Sequence, residues 1–299
     1  MPELPDIELY LHCLRPRVVD ETLERISIAK PFVLRSVDPP ITDAEGRTVR
    51  AVRRLGKRIV LELEDNRFVV IHLMIAGRLR WFPREKPTAR PRIGLASFTF
   101  GRGTLWLTEA GSKRRASLHV VRGGAALAEH DRGGLEVLES TVATFATRLR
   151  AEPATVKRAL TEPRRFSGIG NAYSDEILHA ARLSPLARTT QLDDEQVARL
   201  HAAVIETLRS WCVRLQEKFG ARFPGPGQVT AFRPEMAVHG KFGEPCPVCG
   251  TQVERIVYAE RETNYCPGCQ TGGRVLKDRS LSRLLREDWP RSRDRPGSG

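Results

Sequence analysis

The sequence predicts a multidomain α+β fold: an N-terminal β-sandwich preceded by one helix, a helical unit, and a C-terminal four-cysteine hairpin. Three patterns predict it. Apolar residues alternate with period two between about residues 59 and 107 and recur with helical period from about residue 142. Two C-x-x-C pairs then sit close together near the C-terminus.

The elements follow in order. Ile7, Tyr10, Leu11 and Leu14 fall at i, i+3, i+4 and i+7, so Asp6 to Val18 reads as a helix with an acidic first turn. Ile59, Leu61 and Leu63 then alternate with Val60, Glu62 and Glu64, and Phe98-Thr99-Phe100 meets Leu105-Trp106-Leu107 across a Gly101-Arg102-Gly103 turn. Short strands at this spacing suggest a sandwich or flattened barrel, giving a first domain of residues 1–122. Gly123-Gly124 and Gly133-Gly134 punctuate a linker, residues 123–134. Residues 135–238 read as helical. Val142, Phe145, Ala146 and Leu149 share a face, and a longer helix starts at an Asp193 cap with Gln196 in the capping-box position. Between them Gly168-Ile-Gly-Asn171 is either an interhelical turn or, at a helix start, a phosphate site. Phe219 to Gln228, rich in Gly and Pro, suggests a mobile loop.

Residues 239–285 form the third unit. Cys246-Pro-Val-Cys249 and Cys266-Pro-Gly-Cys269 are separated by sixteen residues, the spacing of a tetrahedral zinc site. A pair of disulfides is the alternative, but nothing else points to an oxidising compartment. Each C-x-x-C is expected to end a short hairpin, and Val253 to Tyr265 to form another with Arg261 at its tip. Residues 286–299, dominated by Arg, Pro, Ser and Gly, read as a disordered basic tail.

Charge narrows the function. Forty-nine Lys and Arg against thirty-six Asp and Glu give a formal net charge of +13, which suits a phosphate backbone. No apolar run approaches the ~18 residues of a membrane span, and no signal peptide or lipidation motif is visible, so a soluble, intracellular protein is expected. The opening residues supply a candidate reaction. Removal of Met1 would leave Pro2 with a free secondary amine, partly unprotonated near neutral pH because α-amino groups titrate at ~7.7–8.0. Such an amine can add to C1′ of a deoxyribose, forming an iminium with no N–H proton to lose. Glu3 is the neighbouring acid. The plainer alternative is that Pro2 and Pro5 only stiffen an exposed terminus.

The opening M-P-E-L-P-D-I-E, Arg54-Leu-Gly-Lys57-Arg-Ile-Val, His72-Leu-Met-Ile-Ala-Gly77, Phe166 to Tyr173 and the finger from Gly243 to Gln270 together resemble the formamidopyrimidine-DNA glycosylase and endonuclease VIII family. The likeness spans residues 1 to about 285. It implies a β-sandwich, a helix-two-turn-helix domain and a zinc-finger hairpin carrying one structural zinc, with DNA between the lobes. The implied activity is that of a bifunctional DNA glycosylase and abasic-site lyase of base excision repair. The resemblance makes Pro2 the Schiff-base nucleophile, Glu3 the acid that assists deoxyribose opening, and Lys57 a participant in β-elimination. Asn171 and Arg261 would grip phosphates beside the lesion, Arg261 also serving δ-elimination. His72 and Lys157 would lie near the bound nucleotide.

Two departures from the family pattern bear on substrate choice. Asp6 stands where a Glu is usual. Ile75 falls at the Met position of the set that fills the hole left by an extruded base, and Lys113-Arg114-Arg115-Ala116 puts Ala where a Phe wedge is expected. Arg114 and Arg115 remain candidate DNA contacts. The expected partner is double-stranded DNA with damaged bases or abasic sites, bound by a monomer in the cytoplasm, at the bacterial nucleoid. The alternatives are a lyase or glycosylase for non-purine or bulky lesions, and a noncatalytic zinc-containing protein that binds damaged DNA.

Overall fold

The computed structural model describes residues 1–85, 91–111, 113–225, 227–258 and 261–276, with the backbone alone for Tyr258 and Arg261. The expected tail, residues 286–299, and the end of the third unit lie outside the described residues. Helix α1 (Leu4–Val18) starts earlier than its apolar period suggests, with Pro5 in the first turn, where a missing N–H removes no helical bond. Its Glu3 N–H donates to Asp6 Oδ2 at 2.9 Å. The helix buries more than one stripe. Ile7, Tyr10, Leu11, Leu14 and Val18 enter the sandwich core, whereas Leu4, Leu9 and Cys13 enter the core of the helical unit. A helix between two cores needs apolar residues on two sides, which is why a single-face reading described only half of it.

Among the described residues the sandwich has eight antiparallel strands: β1 (Thr22–Ile28), β2 (Arg47–Leu55), β3 (Arg58–Leu63), β4 (Arg67–His72), β5 (Gly77–Pro83), β6 (Gly94–Phe100), β7 (Gly103–Glu109) and β8 (Ser117–Arg122). They run in the order β5-β7-β6-β1-β2-β3-β4-β8. Pairing of β1 with β2 is confined to Thr22 with Thr48 and Leu23 with Arg47, so two four-stranded halves hinge there. Leu79, Phe98 and Leu107 from one half share a core with Leu61, Val69 and Ile71 from the other. In the linker a short helix, α2 (Gly124–Ala128), packs Leu127 on the outer face of the second half, against Val60, Phe68, Val70 and Val121.

The helical unit contains α3 (Val142–Arg150), α4 (Val156–Thr161), α5 (Asn171–Ala180) and α6 (Asp194–Phe219). The expected cap of α6 is present: Asp193 Oδ1 accepts from Gln196 N at 2.7 Å, and Gln196 Oε1 accepts from Asp193 N at 3.2 Å. The third unit has the hairpin β9 (Glu254–Tyr258) and β10 (Arg261–Tyr265), in which Arg261 pairs with Tyr258. The first C-x-x-C closes between Pro245 and Gln252, as expected of a hairpin. The second does not: Cys266 caps a short helix, α7 (Pro267–Thr271), because Pro267 fits a first helical position and Gly272 takes the left-handed C-terminal conformation. No described helix is long and apolar enough to cross a membrane.

Phe145 is fully buried, 4.8 Å from the Phe166 ring and 5.2 Å from the His201 ring. Phe145→Ala should lower unfolding free energy by about 3–5 kcal/mol, read from denaturant titration, with the cost falling on the helical unit.

Candidate active site and zinc centre

The loop entering α5 is built for close approach. Gly168 has φ +81, and a Cβ there would stand 2.8 Å from Leu4 Cβ. At Gly170 a Cβ would stand 2.5 Å from Glu3 Cδ. Leu4 N donates to Gly168 O at 2.9 Å, and the buried Glu3 carboxylate then meets the start of α5. It accepts N–H bonds from Gly170 at 2.6 Å, Ala172 at 2.9 Å and Tyr173 at 3.3 Å. A helix begins with N–H groups that lack internal partners and carries positive partial charge there, so a carboxylate satisfies both needs. The bonds join residues 3 and 170, and they fix residue 2 beside the cleft between sandwich and helical unit.

That cleft holds about 630 Å³. Met1, Lys57, Arg58 and His72 line it from the first domain, and Arg158 and Arg164 from the helical unit. The Met1 α-amino group has its pKa lowered, first by burial and then by Arg78 and Lys57, with Glu3 and Asp6 opposing. His72, across the ladder from Arg58, is pulled down to about 3 by burial and then by Arg58 and Lys57, so it is neutral at physiological pH. Lys57 follows Gly56, whose φ of +61 makes the β2–β3 turn. Arg54 braces that turn through Gly56 O at 3.0 Å and crosses to the helical unit through Ser167 Oγ at 3.1 Å and an ion pair with Glu136.

The structure therefore lines the cleft with Lys57, His72 and Met1, the residue next to Pro2, while Glu3 is anchored on α5. Other expected residues are placed differently. Lys157 is ion-paired with Asp175 and donates to Asn171 O at 3.2 Å. Asn171 starts α5, and its Nδ2 donates to Glu262 O of the finger at 2.9 Å. Ile75, Arg114 and Arg115 are exposed outside this cleft, and Met74 lines it instead of Ile75. Ala116 is fully buried in the sandwich core, its N–H on the Glu109 carboxylate at 3.3 Å. The Arg261 side chain lies outside the described residues.

Sequence reading missed Arg233. Its guanidinium pairs with Asp6 at 2.5 Å, and both side chains are nearly inaccessible, at 5% and 2%. Burial pushes the Asp6 carboxyl up and Arg233 pulls against it. Removing either partner would leave a buried unpaired charge, a loss of about 3–5 kcal/mol. Separated by 227 residues, the two share no local signal; the methylene missing from Asp6 was the visible hint.

In the finger, the four sulfurs of Cys246, Cys249, Cys266 and Cys269 lie within 4.8 Å of one another. Zinc–sulfur bonds of ~2.3 Å in a tetrahedron require sulfurs ~3.8 Å apart. The observed Cys249–Cys266 and Cys246–Cys269 separations, 3.3 and 3.9 Å, fit that size. The four cysteines are a structural zinc site.

Three family models cover these parts: the formamidopyrimidine-DNA glycosylase N-terminal domain over residues 1–116, its H2TH domain over 134–218, and the zinc finger found in FPG and IleRS over 243–272. A formamidopyrimidine-DNA glycosylase of Symbiobacterium thermophilum is 32% identical over 279 residues, covering 90% of this chain and 89% of its own. An uncharacterized formamidopyrimidine-DNA glycosylase-like protein of Mycobacterium tuberculosis is 38% identical over 51% of this chain and 94% of its own. Among solved structures, the MutM (Fpg) protein of Thermus thermophilus superposes with a TM-score of 0.74 at 31% identity, covering 90% of this chain and 98% of its own. Lactococcus lactis Fpg in complex with abasic-site DNA superposes at 0.77 with 25% identity, covering 90% and 99%. Fold, cleft and zinc site define a DNA-repair enzyme of the helix-two-turn-helix, zinc-finger class. The chain belongs to the formamidopyrimidine-DNA glycosylase family.

Gly170→Ala tests the Glu3 anchor. A methyl group 2.5 Å from the Glu3 carboxyl carbon must displace it, and a displacement of this order costs roughly 10²-fold in rate. Single-turnover cleavage of abasic-site DNA should fall by about that factor, with DNA affinity within a few fold of wild type.

Proposed function

We propose that this DNA glycosylase and abasic-site lyase of base excision repair works through Pro2, and that the Glu3 anchor on α5 is the observation that carries the assignment. With Met1 removed, the Pro2 nitrogen attacks C1′ of the extruded deoxyribose and the damaged base leaves with the C1′–N bond pair. Glu3 holds the turn that bears the amine and assists opening of the sugar ring. The resulting iminium acidifies the C2′ hydrogens. Loss of one of them expels the 3′ phosphate in β-elimination, with Lys57 at the cleft wall taking part in proton transfer. Hydrolysis of the iminium frees Pro2. Neutral His72 contributes a hydrogen-bonding edge rather than a charge. Arg58, Arg158 and Arg164 supply the phosphate-facing potential, and Asn171 and Arg261 are assigned to phosphates flanking the lesion. Lactococcus lactis Fpg is known in complex with abasic-site DNA; we infer that this chain acts on damaged or abasic-site duplex DNA, as a monomer in the bacterial cytoplasm.

The alternative of a lyase or glycosylase for non-purine or bulky lesions is not favoured by the relatives, which include a Lactococcus lactis Fpg variant in complex with Fapy-dG-containing DNA; excision rates over a panel of defined lesions would rank the substrates. The relatives give no support to a noncatalytic binding protein.

The amine is the point to test. Borohydride reduction with abasic-site DNA should trap an adduct at residue 2, and one extra residue before Pro2 should abolish trapping while DNA binding persists, because an amide nitrogen has no available lone pair. The trapping rate should rise with pH as the Pro2 amine loses its proton and then level off, because only the unprotonated nitrogen carries the lone pair that attacks C1′. Equal cleavage by free and blocked termini would assign the chemistry to another group.

A further inference from the structure

The buried polar side chains of helix α5 include Asp175, Glu176 and His179. Two are accounted for by the chain entering the finger. Asp175 accepts from His239 Nδ1 at 2.7 Å and Asn264 N at 3.2 Å, and Glu176 accepts from the N–H groups of Ala237, Val238 and His239 at 2.8–2.9 Å. His179, one turn further on, has no such duty. Its Nε2 lies 3.2 Å from Cys246 Sγ. Both residues are buried, at 6% and 3% exposed, so water does not compete for either atom.

The chemistry of the pair is specific. Four thiolates already complete a tetrahedral zinc shell, so the imidazole is not a fifth ligand. Four thiolates on one Zn²⁺ also carry a net charge of −2, and a buried sulfur with that charge requires donors. Cys266 Sγ has a backbone donor, Cys269 N at 3.4 Å, and Cys249 is exposed. Cys246 faces the helical unit. We propose that His179 is a positioning residue of the zinc centre, its Nε2–H donating to the Cys246 thiolate so that zinc retention in the finger depends on α5. Through the same helix, whose first N–H groups hold Glu3, the metal site and the candidate nucleophile share one rigid support.

The test compares zinc-loaded wild type with His179→Phe, which keeps a buried ring but no donor, and His179→Gln, whose side-chain nitrogen reaches the place of Nε2. Zinc transfer to a chromogenic chelator should be about 10–100-fold easier from His179→Phe, with His179→Gln close to wild type. In the cobalt-substituted proteins the sulfur-to-cobalt charge-transfer band should move in His179→Phe and stay in place in His179→Gln. Equal zinc retention and an unmoved band in His179→Phe would overturn the proposal. So would equal losses in both variants, which would mark a packing role. If His179→Phe does not fold, the wild type loaded with ¹¹³Cd decides: the His179 Nε2–H should show coupling to cadmium across the hydrogen bond, and a proton carried on Nδ1 alone would overturn it.

Discussion

The contact between Glu3 and the first turn of α5 is the constraint on which the molecule depends. It unites the two ends of an otherwise divisible protein. Helix α1 belongs to both cores, and the Glu3 carboxylate fixes where its N-terminus lies along α5. Nothing flexible separates residue 2 from this anchor, so the amine inherits the rigidity of a helix terminus. Preorganisation of this kind matters because attack on C1′ tolerates little positional error. Gly170 is required for the same reason: the carboxylate occupies the space where any side chain would begin.

Helix α5 extends that order to the finger. Asp175 and Glu176 hold residues 237–239 and Asn264, while Asn171 bonds Glu262 in the hairpin that begins at Arg261. The finger is thus docked by polar bonds; among the described residues its buried apolar cluster comprises Val238, Val253, Cys246 and Cys266. A unit that small relies on metal to fold, as expected of structural zinc sites.

Much of this was legible in the sequence because it is local. The capping box at Asp193 and Gln196, the Cys spacing and the alternation through β3 each arise within a few residues. What was not legible arises from distant partners. Lys157 read as lying near the bound nucleotide, and its ion pair with Asp175, which also serves the finger, could not be seen in the sequence. Asp6 read as a shortened family residue, and its meaning came only with Arg233 from beyond α6. Ala116 read as standing where a wedge is usual, and nothing local to it announces that it is buried in the core with its N–H on the Glu109 carboxylate. In each case a charged or small side chain looks the same in sequence whether it meets solvent, DNA or another part of the chain.

Amide hydrogen exchange in Glu3→Ala, followed residue by residue, tests the anchor most directly. The account predicts that Gly170, Ala172 and Tyr173 exchange faster than in the wild type while Ile177 and Leu178, deeper in α5, keep their protection. Unchanged protection at the three N-terminal amides would contradict it, because the carboxylate would then not be what holds the start of the helix to the N-terminus of the chain.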